Sequence, residues 1–254
     1  MFGTFILDAY VEEESTDIAV AIEDICSPND NFGWASSGLY SFWDYYTKEI
    51  YYIGYSTDLH LRFMQHNGLI PVRDSVCKEE EICEYFKKNN KIGFSIFVQS
   101  PFSQPRVYRN KSSIIVSDIT NEQNSFLIND LRIMEGSFIS AYENVKGYLP
   151  EWNKIGGSPV GGKRTEGEIY EQMIERITGN LSDMLVARSS IRELSKNSKY
   201  EFYEVELHGV RSLMINFHLT FNQAIKEMLN INPFFFQYYN EILLDQYLYK
   251  NLDL

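Results

Sequence analysis

The chain has 254 residues, 44% of them apolar and 15% aromatic, which suits a packed core and excludes a disordered composition. It has no apolar run of about 18 residues and no basic, apolar N-terminal leader, which argues against a membrane span or secretory signal; the three cysteines, Cys26, Cys77 and Cys83, form no C-x-x-C pair and point to a reducing, cytoplasmic setting. The net charge of −12 is unevenly placed, because residues 1–35 hold eight acids and no Lys or Arg, whereas residues 36–159 hold 14 acids against 13 bases; there is no basic stripe, but the acidity does not exclude a polyanionic partner.

In chain order, residues 1–35 form an acidic N-terminal segment, with a strand predicted at Thr4–Val11 and an acidic helix at Ser15–Cys26. These acids read either as a solvated, solubilising face or as a restraint on a nearby cleft. Strands follow at Gly38–Asp44 and Ile50–Tyr55 around a turn at Tyr45–Lys48. Thr57 or Asp58 can cap the next helix, which Gly68 ends. Residues 69–129 read as an insertion containing a helix at Lys78–Lys88, a strand at Gly93–Gln99 and a polar strand or loop at 113–119.

The helix after it is the clearest in the chain, since Leu131, Met134, Phe138, Ala141 and Val145 make one apolar stripe with Glu135 at its edge. I-G-G-S-P-V-G-G-K-R then reads as a flexible glycine-rich linker, dividing residues 36–157 from a mostly helical region, 158–254. That region has an apolar helix face at Ile169, Met173, Ile174 and Ile177 and a further helix at Leu213–Asn230. Its aromatic end, including Phe234, Phe235, Phe236, Tyr238, Tyr239, Tyr247 and Tyr249, suits either core or a homodimer interface.

The chemistry concentrates in a few strings. Gly38-Leu39-Tyr40 and Tyr52-Ile53-Gly54 place one tyrosine on each of two paired strands, and Arg62 and His66 stand four apart on one helix face. With Glu135 in L-R-I-M-E-G and Asn153 in E-W-N-K, this ordered set resembles the GIY-YIG nuclease family over about half of the chain, Ser36 to Gly157. The resemblance implies an α/β (α+β) fold, a small, mainly antiparallel sheet flanked by helices, with a helical C-terminal extension.

It further implies a Mg²⁺-dependent endonuclease, with Mn²⁺ as a substitute metal, acting on DNA, in first expectation double-stranded. Tyr40 would take the proton of the attacking water after its pKa is lowered, and Tyr52 would bind phosphate or share that role. Arg62 would pair with the scissile phosphate, His66 would orient the phosphate or the tyrosines, Glu135 would hold the metal, and Asn153 would brace the site or contact substrate. Gly54, Lys154, Lys163 and Arg164 are the further substrate-binding candidates.

Each residue also has a plainer reading. Most of the 18 tyrosines are packing residues, with Tyr51 expected on the opposite sheet face from Tyr52; a helical arginine or glutamate is ordinarily solvated, and His60, His208 and His218 read as structural. Gly157–Lys163 fits G-x-x-x-x-G-K, but Arg164 replaces the Ser or Thr of a nucleotide-binding loop and no buried strand precedes it. The main competing function is a catalytically inactive nucleic-acid-binding or regulatory protein on the same scaffold.

Overall fold

The computed structural model describes residues 2–26, 34–71, 77–100, 121–163, 168–179 and 183–254. The fold is α+β, a four-stranded antiparallel sheet between two layers of helices. Strands β1 (Phe2–Tyr10), β2 (Gly38–Asp44), β3 (Ile50–Ser56) and β4 (Ile92–Gln99) lie in the order β1-β4-β2-β3. The strand expected at Gly93–Gln99, β4, is thus central, and the acidic N-terminal segment supplies an edge strand. The 113–119 segment lies outside the described residues.

Alternation along the strands builds two cores. On one face Ile6, Tyr10, Tyr40, Phe42, Phe94 and Ile96 pack under α1 (Ser15–Cys26), α2 (Leu59–His66) and α3 (Glu79–Phe86). On the other, Phe5, Leu7, Leu39, Trp43 and Phe97 pack under α4 (Asn121–Lys146) and, after the four-residue turn α5 (Pro159–Gly162), α6 (Glu168–Ile177). Of the predicted α4 stripe, Leu131, Phe138 and Ala141 are buried and Val145 is exposed; the helix also starts at Asn121, inside the expected insertion.

Both sheet edges are covered, which removes the aggregation hazard of an open edge. At β1, Phe5 N–H donates to the Leu185 carbonyl and Ala187 N–H to the Phe5 carbonyl, at 2.9 and 2.8 Å. At β3, Trp152 N–H donates to the Tyr51 carbonyl at 2.8 Å. Asn153 completes that cover, accepting from Ile53 N–H at 2.9 Å and donating to the Ile53 carbonyl at 2.8 Å.

Three expectations are corrected. Tyr51 and Tyr52 lie on the same side, because a bulge between the Phe42–Tyr52 and Trp43–Ile50 pairs inserts Tyr51 and breaks the alternation. The glycine-rich segment is not a flexible hinge: a Cβ on Gly161 would fall 2.1 Å from the Ile133 carbonyl oxygen, and one on Gly136 would fall 2.5 Å from that of Ser158. Gly157 and Gly161 are there for close contact with α4. After α7 (Ile191–Lys196), the helix expected at 213–230 is two, α8 (Ser198–Phe217) and α9 (Phe221–Ile231), separated at His218, whose φ of 53° is left-handed, and restarted by a Thr220–Gln223 capping box.

The C-terminal region is tied to β1 by buried polar groups. Arg211 pairs with Glu204 and donates to Thr4 Oγ1 at 3.2 Å, and Tyr247 donates to Glu204 at 2.8 Å. In the aromatic tail, α10 (Phe235–Leu244) buries Phe235, and Tyr247 is buried beyond it, while Phe234, Phe236 and Tyr249 are exposed. No helix among the described residues is long and apolar enough to cross a membrane.

Candidate active site

Tyr40 and Gly54 are directly paired on β2 and β3, so the two tripeptides meet across one ladder. A Cβ on Gly54 would lie 2.7 Å from Tyr52 Cε1 and 2.8 Å from the Tyr40 hydroxyl, so only glycine leaves room for both rings. Gly38 is constrained from the other side, where a Cβ would fall 2.3 Å from the Phe97 carbonyl oxygen. The Tyr40 ring packs among Tyr52, Phe94 and His66, with centroids 5.7, 6.3 and 5.4 Å away.

Helix α2 delivers the two nitrogen partners of the Tyr40 hydroxyl. Asp58, rather than Thr57, caps it by accepting from Leu61 N–H at 2.9 Å, and Leu69 N–H closes its end on the Met64 carbonyl around Gly68, at φ 66°. Arg62 Nε–H donates to the Tyr40 hydroxyl oxygen at 3.1 Å and its Nη1 donates to Gln65 Oε1 at 2.9 Å. His66 Nε2 lies 2.7 Å from the same Tyr40 oxygen. His66 Nδ1 accepts the main-chain N–H of Lys78 at 2.9 Å.

Burial dominates the electrostatics. It raises the Tyr40 phenol well above its ordinary value, with nearby Tyr52 adding to the effect and Arg62 opposing it. The expected lowering of the Tyr40 pKa is therefore corrected: the aromatic layer desolvates the phenolate by more than one guanidinium recovers. Tyr52 is also raised, first by burial, but the hydrogen bond from Tyr40 pulls it down and Glu135 pushes it up. Burial, then the charges of Arg62 and Lys78, hold His66 well below its ordinary value, so it is neutral near pH 7.

Glu135 reaches the same place from the opposite layer. Its half-buried carboxylate accepts the N–H of Tyr55 on the outer edge of β3 and interacts electrostatically with Tyr52. Burial pushes it up to about 7, against the pull of Arg132 and that N–H. No group of three or more His, Cys, Asp or Glu with metal-site spacing occurs among the described residues. The donor chemistry still fits a hard cation held by one carboxylate, since Mg²⁺ commonly takes one or two protein carboxylates and completes its shell with water and phosphate oxygens.

The remaining candidates are placed apart. The Asn153 side chain is committed to the β3 backbone and braces the sheet edge. Exposed Lys154 lines a groove of about 680 Å³ with Glu80, Glu84 and Glu151, surroundings unfavourable to phosphate. Lys163 is exposed beyond α5, and Arg164 lies outside the described residues. His60 is buried 3.9 Å from Glu23, and His208 is buried with Nδ1 3.1 Å from Thr4 Oγ1, both in structural settings.

Gln65, Tyr55 and Lys78 are site neighbours that residue spacing did not single out. Gln65 alone left a trace, three residues after Arg62 on the same helix face. Tyr55 and Lys78 act through main-chain N–H groups, which every non-proline residue carries. No family model, curated protein or solved structure matches this chain. Its function must be read from the side chains themselves.

Proposed function

We propose that the chain is a Mg²⁺-dependent endonuclease of GIY-YIG type that hydrolyses DNA phosphodiester bonds. The observation that carries the reading is the convergence of Arg62 Nε–H and His66 Nε2 on the Tyr40 oxygen, with Glu135 facing Tyr52 across the edge of β3. Two donors aimed at one buried phenol oxygen cost nothing to reorganise when negative charge forms there.

Burial of Tyr40, only 2% exposed, makes the tyrosine pair the base in preference to Tyr40 alone. Tyr52 is the more accessible phenol, and the Tyr40 hydrogen bond favours its anion. In the singly deprotonated pair, Tyr52 Oη takes the proton of the attacking water while Tyr40, held by Arg62 and His66, shares the charge before transfer. Arg62 would also balance charge gathering on the phosphate. Glu135 is the residue that would hold Mg²⁺, which supplies positive charge for the non-bridging and leaving oxygens when bound. Because both phenols are raised, the cleavage rate should climb from neutral to alkaline pH.

Purified protein incubated with supercoiled plasmid should nick or linearise it with Mg²⁺ and not with EDTA. Arg62→Ala and Glu135→Ala should each abolish cleavage with an unchanged circular-dichroism spectrum, and Tyr40→Phe, which deletes only the hydroxyl, should be severely impaired. Wild-type turnover in either alanine variant would remove the mechanism. The buried, doubly hydrogen-bonded Tyr40 hydroxyl also suits a non-cleaving nucleic-acid-binding protein. That second reading is selected if DNA binding is lost in Arg62→Ala while the wild type never cuts.

A further inference from the structure

We infer that Lys78 is a positioning residue whose main-chain N–H locks His66 in the single tautomer that donates from Nε2 to the Tyr40 oxygen. The residue lies outside the ordered set of Tyr40, Tyr52, Arg62, His66, Glu135 and Asn153. It belongs to the segment inserted between the two site helices. The consequence for catalysis rests on the nuclease reading, but the tautomer itself does not.

One donor around His66 has an identity that is not open to choice. A backbone amide can only donate, and Lys78 N lies 2.9 Å from His66 Nδ1. A proton on Nδ1 would set two N–H groups against each other in a buried place, whether His66 were neutral in the other tautomer or charged. The proton of neutral His66 is therefore on Nε2, 2.7 Å from Tyr40 Oη. Tyr40 then accepts from both His66 and Arg62, which leaves its own proton for Tyr52. With the alternative tautomer, Nε2 would accept the Tyr40 proton, and the phenol could no longer donate to Tyr52.

The amide is held firmly enough to act this way. Cys77 donates through Sγ to the Gln65 carbonyl at 2.8 Å, fastening the preceding residue to α2. The Lys78 carbonyl accepts Ile82 N–H at 2.9 Å, fixing it at the start of α3. The lysine side chain is itself buried, with Nζ 2.9 Å from Glu81 and 5.4 Å from the centre of the Tyr52 ring. Lys78 thus meets α2 through its main chain and the Tyr52 ring on β3 through its side chain.

The test is long-range ¹H–¹⁵N correlation of the histidine rings in the full-length ¹⁵N-labelled protein at neutral pH, with His66 identified by the signals lost in His66→Gln. His66 should show a protonated Nε2 and a bare Nδ1. Lys78→Ala, which keeps the N–H, should leave that pattern, and Lys78→Pro, which deletes it, should give a tautomer mixture. Amide exchange supplies a second measurement should Lys78→Pro not fold: the Lys78 N–H should be protected in the wild type and exchange faster in His66→Leu. A protonated Nδ1 or averaged tautomers in the wild type would overturn the inference, as would an unprotected Lys78 amide. In cleavage, His66→Gln, which can still donate to Tyr40, should retain more activity than His66→Leu. Absence of cleavage in the wild type would remove the nuclease reading and leave the tautomer of His66, read from the spectrum, unaffected.

Discussion

Acidification should destabilise this protein through its buried histidines, and for His208 the effect can be sized. His208 is buried beside Arg211, and burial first, then that guanidinium, lowers its pKa to about 3. In the unfolded chain it titrates near 6.5. A depressed histidine costs no stability above the unfolded value. As pH falls below that, the unfolded state binds a proton that the folded state refuses, so stability is lost until the folded value is reached. Between pH 7 and pH 5 this linkage amounts to about 2 kcal/mol for His208.

His66, also held well below its ordinary value, contributes a loss of the same sign over the same window. Glu135 opposes both: raised to about 7, it binds its proton more readily when folded and recovers about 2 kcal/mol between pH 7 and pH 5. The contributions of His208 and Glu135 therefore nearly cancel across that interval, and the loss from His66 comes on top of them. Urea unfolding followed by circular dichroism at the two pH values reads the net change directly. His208→Leu removes one titrating group, so its stability should fall by about 2 kcal/mol less than the wild type's over the same interval. Identical pH dependence in the two proteins would refute the reasoning, whatever their absolute stabilities.

Other consequences are local. Gly54→Ala should destabilise by about 1–3 kcal/mol in urea unfolding, because the new methyl meets the Tyr52 ring and the Tyr40 hydroxyl, and it should lose cleavage as the pair is forced apart. Asn153→Ala strands the Ile53 N–H and carbonyl at the sheet edge, at a cost of about 1–3 kcal/mol by the same assay. Truncation after Asn230 removes buried Phe235 and the Tyr247 hydroxyl that serves buried Glu204. It should yield insoluble protein, where a soluble, folded product would place those aromatics outside the core.

What the sequence made legible was whatever a short stretch of chain decides. Period-two alternation marked the strands, the four-residue offset put Arg62 and His66 on one face, and the Glu135 helix showed its stripe. The Tyr51 bulge was hidden because register belongs to a pair of strands, and one extra residue reverses every facing after it. Glycines in 156–162 signalled freedom of the chain, yet the same lack of a side chain also permits close contact, and contact is what Gly136 and Gly161 make. The acids of the N-terminal segment looked like one charged unit, but Asp8 is buried on β1 and bound by Arg192, 184 residues away, at 2.9 Å, with Glu14 on the same guanidinium at 3.1 Å. Deleting residues 1–30 would remove an edge strand along with the charge, so replacing exposed Glu12 and Glu13 with glutamine is the fair test of electrostatic restraint.

The same division explains the tyrosines. Spacing can say that Tyr40, Tyr52, Arg62 and His66 meet, since each offset is local once two strands pair. Their protonation is set by what lies over them, and that comes from Phe94 and from Lys78, which no offset within the motif specifies. Burial by the aromatic layer makes a phenolate costly, and two N–H donors on one oxygen are the compensation available without exposing the ring. It follows that Arg62 and His66 are coupled: losing either donor raises the burden on the other. Their double variant should therefore lose less activity than the product of the two single losses, because whichever donor goes first already removes the buried anion they jointly support.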